Sequence, residues 1–204
     1  MWAAQVHRQR SRLLWVSGVA LSCLSHVSAH ALVVHPTAAQ IQTALDQGKE
    51  VAEKRMSPDS FYVRFGVTDE IQPKGFLITK IGALSVMAAH MALRGVEPSE
   101  ADVAQVLEAK TMLISTVIFG NQPNFAVDSY MVLDQGGKAI KPVMVRFDAQ
   151  ADRSVVWPKS PRFKAKVVAS FNYADFDPRA KTTIIVYPAT GGESRFTIDF
   201  SEID

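Results

Sequence analysis

The sequence predicts an α+β fold in which N-terminal helices and short strands pack against a C-terminal antiparallel β-sandwich. Two observations support this class. Residues 163–200 alternate apolar and polar side chains with period two, which is typical of strands with one buried face. Residues 37–110 contain three segments whose apolar residues suit helices. We place the helical and short-strand region at residues 32–110 and the sandwich at residues 111–204; the two can form one compact domain.

The clearest strand runs from Phe163 to Phe171, where every second residue is apolar. Gly-Gly pairs at residues 136–137 and 191–192 separate apolar runs and predict two hairpins. The strand count and the alternation make the architecture similar to immunoglobulin-like modules, by analogy and without a shared motif. At most six strands are predicted after residue 110. An early strand such as residues 61–67 is therefore expected to complete the sandwich.

Capping residues mark the predicted helices. Thr37 and Gln40 fit a capping box at the start of an amphipathic helix. A second helix, Ile81 to Leu93, is apolar on nearly all sides and is expected to be buried on most of them. A third helix is predicted after Ser99, which fits an N-cap.

The start of the chain predicts export. Three arginines without an acidic residue precede a twelve-residue apolar run, which is shorter than the ~20 residues that span a bilayer. The triplet Ala29-His30-Ala31 fits a signal peptidase site. We expect a signal peptide at residues 1–31, cleavage after Ala31, and a periplasmic or extracellular location. The alternatives are a short membrane anchor and lipidation of Cys23, although Ala20 stands where lipoprotein sites usually carry leucine.

Removal of the signal peptide changes the charge balance. The whole chain has 22 basic and 20 acidic residues, and three of the basic ones lie in the signal. The remaining 173 residues carry 19 against 20, a net charge of −1, which does not suggest nucleic acid as a partner. The single cysteine also leaves with the signal. A chain of this length buries enough surface to fold in an oxidising compartment without disulfides.

The expected mature chain shows no motif for a cofactor. Its two histidines, His35 and His90, are far apart in sequence and have no metal-ligand spacing. The sequence contains neither a phosphate-binding glycine loop nor a G-x-S-x-G elbow. We expect no cofactor and no catalytic set.

The most polar constellation lies between Asn172 and Pro178. Asn172, Asp175 and Asp177 carry oxygens that could bind Ca²⁺. The sequence has no central glycine or downstream glutamate of a calcium loop, and Asp before Pro is a common turn former. We expect a turn, with the metal site as the alternative.

Three aromatic residues form a second candidate site. Trp157, Tyr173 and Phe176 could build an interaction surface, since exposed aromatics are common at interfaces. The alternative is that they close the open end of the sandwich core, because large aromatics are usually buried. The latter is our expectation.

Two functions from different classes remain. The first is an exported, non-enzymatic binding or assembly module of a bacterial-type envelope, whose partner is a protein or another envelope component. The second is an envelope hydrolase that uses carboxylates such as Asp175 and Asp177 as acid and base. A deep pocket that holds one of these carboxylates with His90 would favour the enzyme. No membrane span is expected after removal of the signal.

Overall fold

The computed structural model describes residues 31–203, so the predicted signal peptide lies outside the described residues except for Ala31. Within that range the chain forms helices at the N-terminal side and two antiparallel sheets, which confirms the α+β class. The helices are α1 (Ala38–Glu53), α2 (Lys80–Ala92) and α3 (Glu100–Glu108). The strands are β1 (Val63–Gly66), β2 (Lys74–Ile78), β3 (Thr111–Gly120), β4 (Tyr130–Gln135), β5 (Lys138–Ile140), β6 (Met144–Phe147), β7 (Asp152–Arg153), β8 (Phe163–Asn172), β9 (Lys181–Tyr187) and β10 (Ser194–Asp199).

The two sheets pack face to face as a sandwich. Sheet A has six strands, five of them in the order β1-β2-β3-β8-β6, with β7 also paired to β8. Sheet B has four strands in the order β10-β9-β4-β5. Ile114 and Val167 of sheet A meet Leu133 and Ile184 of sheet B in one core, and none of these four side chains is exposed. The analogy with immunoglobulin-like modules is limited to this two-layer arrangement, because the number of strands differs.

The longest ladder joins β3 to β8 and confirms the predicted alternation of β8. Ten residue pairs run from Thr111 opposite Asn172 to Gly120 opposite Phe163. On β8, Ala165 and Phe171 are at most 2% exposed, as expected for the inward face, whereas Lys166 points to solvent. The period of two residues follows from the strand pleat, so one register buries the whole apolar set.

The strand count after residue 110 is higher than predicted. Eight strands occur there instead of six. One of the two additional strands arises because the expected return strand after the Gly136-Gly137 turn divides at Pro142, and the other is the two-residue strand β7, which was not predicted. Proline has no N–H for a ladder, so β5 ends in sheet B and β6 starts in sheet A. The N-terminal strands complete sheet A as expected, since β2 pairs with β3. The sheet is therefore continuous across residue 110.

Small residues bring α1 and α2 into close contact. Ala44, Gly48 and Ala52 are the buried residues of α1 and recur every four positions, so they share one face. A Cβ atom at Gly48 would lie 2.3 Å from the Ser85 carbonyl oxygen and 2.7 Å from the Cβ of Ala88. Only glycine permits this approach. The predicted capping box of α1 is present, and Ser99 caps α3 as predicted, there as part of a second capping box with Asp102.

No described helix is both long enough and apolar enough to cross a membrane.

Replacement of Val167 by aspartate should strongly destabilise the fold. Val167 is fully buried in the sandwich core, and an unpaired charge there should lower the free energy of unfolding by more than ~3 kcal/mol. Urea unfolding measures the loss. Thr197→Asp, at an exposed position of β10, is the matched control and should stay within about 0.5 kcal/mol of the parent. Equal stability of both variants would show that β8 has a different register.

Candidate ligand-binding cleft

A cleft of about 530 Å³ lies at the end of sheet A where β2 and β8 end and β3 begins. This volume lies within the range of ligand-binding pockets. The cleft has three walls. The segment before α1 forms the first, the start of α2 together with the connection between α3 and β3 forms the second, and the end of β8 forms the third. The lining residues are Val34, His35, Lys80, Leu107, Glu108, Ala109, Lys110, Asn172, Tyr173 and Ala174.

Local hydrogen bonds fix the two central side chains of the cleft. Thr79 caps α2 by accepting from the Gly82 amide at 2.9 Å, which makes Lys80 the first residue of the helix. The Tyr173 amide donates to the Lys110 carbonyl at 3.0 Å, directly beyond the last β3–β8 residue pair. Tyr173 is thus held against the α3–β3 connection, and Lys80 stands opposite it.

Contacts of Leu32 position the segment before α1, which forms one wall of the cleft. Its side chain is 2% exposed, and its amide lies 2.9 Å from the Phe200 carbonyl oxygen and 3.1 Å from that of Pro178. These contacts tie the start of the described chain to the sandwich. Val34 and His35 follow two and three residues later and lie along the cleft.

Lys80 is buried without an anionic partner. The residue is only 6% exposed, and its Nζ donates to the carbonyl of Leu107 near the C-terminus of α3. Nζ lies 5.3 Å from the centre of the Tyr173 ring, within cation–π range. No described carboxylate forms a salt bridge with it. Burial lowers the pKa of Lys80 from its usual range, because desolvation disfavours the charged form.

Tyr173 is the second buried polar residue of the cleft. It is 9% exposed, and its ring centre lies 5.8 Å from that of Phe176, which in turn packs against Phe200 at 5.4 Å. Its hydroxyl makes no hydrogen bond with the described residues. Burial raises the pKa of Tyr173 to about 12, because the phenolate is poorly solvated there.

The predicted calcium candidates make local bonds of the kind that a turn requires. Asn172 Nδ2 donates to Asp175 Oδ2 at 3.0 Å, and Asp177 Oδ1 accepts from the Arg179 amide at 2.8 Å. Gln135 binds both backbone groups of Asp177, at 2.8 and 2.9 Å. The described residues contain no group of three or more histidine, cysteine or acidic side chains that could hold a metal ion.

The structure does not bring the three aromatic candidates together. Tyr173 and Phe176 belong to the core at one end of β8. Trp157 precedes the other end of this strand, whose ten residues span roughly 30 Å at about 3.3 Å per residue. It is 45% exposed, and the Arg153 guanidinium stacks over its ring at 4.3 Å. Tyr173 alone of the three lines the cleft.

Asp175 and Asp177 line a second depression on the surface. Ala174 is the one lining residue that it shares with the cleft. Gln135, Lys138 and Lys181 contribute to this depression, whereas His90 does not. His90 is exposed near the end of α2. The combination of carboxylate and histidine that would favour a hydrolase is therefore not assembled in this depression.

A groove of about 370 Å³ lies on the outer face of sheet A. It mixes three lysines with three acidic residues, so its charges balance, and none of these six side chains is buried. The cleft at Lys80, called the Lys80 cleft below, differs from this groove because it contains two buried polar side chains, those of Lys80 and Tyr173.

Sequence reasoning missed Lys80. The available signal was a single lysine directly after Thr79, at the start of an otherwise apolar helix. A cation in the first turn opposes the helix dipole, so such a lysine needs another reason to be there. Its proximity to Tyr173 depends on strand pairing, which no local pattern reveals.

Comparison of the chain with protein-family models and with curated proteins found no match. The function is therefore argued from the site itself.

The Tyr173 pKa predicts a loss of stability at alkaline pH. A phenol with a pKa of about 12 when folded and about 10 when unfolded has no effect below pH 10, where both states are protonated. Between these values the unfolded chain releases the proton first, so stability should fall by about 1.4 kcal/mol per pH unit. Tyr173→Phe should remove this decrease in urea unfolding measured from pH 9 to 11.5. Tyr130→Phe, at a 40% exposed position, is the control. An identical pH dependence of all three proteins would contradict the assigned environment.

Calcium should not stabilise the loop of Asp175 and Asp177. Asp177→Asn weakens one local hydrogen bond and should cost on the order of 1 kcal/mol, with or without chelator. Millimolar Ca²⁺ should leave the melting temperature of the parent unchanged. A rise with calcium that disappears in Asp177→Asn would instead establish a metal site.

Proposed function

We propose that this protein is an exported, non-enzymatic binding module of a bacterial-type envelope and that its ligand occupies the Lys80 cleft. Export rests on the sequence of the first 31 residues. The binding site rests on the structure of the cleft.

The observation that supports the site is the burial of two incompletely bonded polar side chains against one opening. Lys80 is 6% and Tyr173 is 9% exposed, and both line the same cleft. Burial of a charged group is unfavourable unless partners compensate for the lost water. A ligand that enters the cleft can bind the remaining donors of Lys80 and the Tyr173 hydroxyl in place of water. Perturbed titratable groups of this kind are concentrated at functional sites.

Binding without catalysis fits the composition of the cleft. Among the described residues, no serine, threonine or cysteine lines it, so an aliphatic hydroxyl or a thiol nucleophile is lacking there. The hydroxyl in the cleft is the phenol of Tyr173, whose pKa of about 12 keeps it protonated near neutral pH. The alternative is an envelope hydrolase that uses Asp175 and Asp177. Their side chains already accept hydrogen bonds within their own loop, which favours a turn over an acid/base pair.

A thermal-shift experiment tests the proposal. The whole chain is expressed in a bacterium, the exported protein is purified, and its intact mass should correspond to a chain beginning at Leu32. Small molecules extracted from the envelope should then raise its melting temperature, because binding to the folded state stabilises it. Lys80→Met should reduce this shift, whereas Lys159→Met, at an exposed position outside the cleft, should not.

Each part of the experiment has an outcome that contradicts the proposal. A product that retains Met1, or that starts at a lipidated Cys23, argues against the proposed processing. Equal thermal shifts of Lys80→Met and the parent argue against the cleft. Chemical conversion of the bound component during incubation favours the hydrolase.

A further inference from the structure

We infer that the Lys80 cleft binds the anionic end of an amphiphilic ligand, a carboxylate or a phosphate on an apolar stem. This inference rests on the proposed function and defines the chemistry of the ligand.

The first argument is the number of hydrogen-bond donors on Lys80. A lysine ammonium has three N–H donors and no acceptor. One donor binds the carbonyl of Leu107, and no other described oxygen is bonded to Nζ. Nζ lies 5.3 Å from the centre of the Tyr173 ring, and its remaining donors can bind an acceptor that enters the cleft. An anionic oxygen is the strongest acceptor available to an ammonium group.

Capping of α3 explains only part of this arrangement. The Leu107 carbonyl lies in the last turn of α3, where a nearby cation is favourable. This single hydrogen bond does not use the other two donors. It also leaves the hydroxyl of Tyr173, in the same cleft, without a partner among the described residues.

The other lining residues indicate the sign of the charge on the ligand's head and the apolar character of its stem. Lys110 adds a second positive charge to the cleft against the single negative charge of Glu108, so the lysine and acidic residues of the lining sum to a net positive charge. Val34 and Leu107 provide apolar wall next to the Tyr173 ring. The cleft thus offers an ammonium and a hydroxyl to the head of a ligand and apolar surface to its stem.

NMR titration with four probes of equal chain length tests the inference. Hexanoate, hexyl phosphate, hexanol and hexylamine are added at constant ionic strength to the ¹⁵N-labelled protein, purified from bacteria that express the whole chain. The amide signals of Lys80 and Tyr173 should shift with the two anions, and at least one anion should bind about tenfold or more tightly than hexanol. The stronger of the two anions distinguishes a carboxylate ligand from a phosphate ligand.

Three variants assign the effect to the cleft. Lys80→Met keeps most of the stem but removes the charge, and should lower anion affinity about tenfold while leaving hexanol affinity unchanged. Tyr173→Phe removes only the hydroxyl and should cause a smaller, several-fold loss. Lys159→Met is the charge-matched control and should bind like the parent. Melting temperatures show that each variant is folded.

The outcomes separate this inference from the proposed function. If hexanol or hexylamine binds at these amides as tightly as the anions, the anionic class is wrong, although the cleft remains a ligand site. If anion affinity is unchanged in a folded Lys80→Met variant, the assignment to Lys80 is wrong. If no probe shifts the cleft signals at millimolar concentration, both proposals are overturned.

Discussion

The pairing of β3 with β8 is the interaction on which the rest of the structure depends. Its ten residue pairs join the two longest strands and place their apolar side chains in the sandwich core. A slip by one residue would reverse both faces of β8 and expose Val167 and Phe171. The same ladder ends at Thr111 and Asn172, where the chain continues into the walls of the cleft. The site is therefore located by the register that builds the core.

Sheet B holds the cleft wall from the other side. Gln135, at the end of β4, accepts a hydrogen bond from the backbone amide of Asp177 and donates one to the carbonyl of the same residue. Its side-chain amide also donates to the Thr182 hydroxyl at 2.8 Å. Phe176, in the loop between β8 and β9, packs between Tyr173 and Phe200. The loop between β8 and β9 is therefore bonded to the rest of the protein at Tyr173 and at Asp177. If the cleft binds a ligand as we propose, such preorganisation would lower the entropic cost of binding.

The cleft opposes stability locally. Lys80 places a cation at the start of α2, where the helix dipole is unfavourable, and buries it beside a tyrosine. The Leu107 carbonyl and the C-terminal dipole of α3 compensate in part. Apolar residues of similar volume often stabilise a protein more than buried charges do. A lysine at this cost in stability is consistent with the binding site that we propose.

The sequence by itself determined the α+β class, the N-terminal caps of α1 and α3, the inward face of β8 and the Gly-Gly hairpins, because these features depend on residues close together in the chain. It also favoured a turn around Asp177. It did not determine how Pro142 divides one apolar run between two sheets, or that Tyr173 and Trp157 lie at opposite ends of β8. Lys80 meets Tyr173 only after β2, β3 and β8 pair, although 93 positions separate them in the sequence. Tertiary structure decided the site because its chemistry depends on burial and on contacts between distant segments, which local periodicity does not encode.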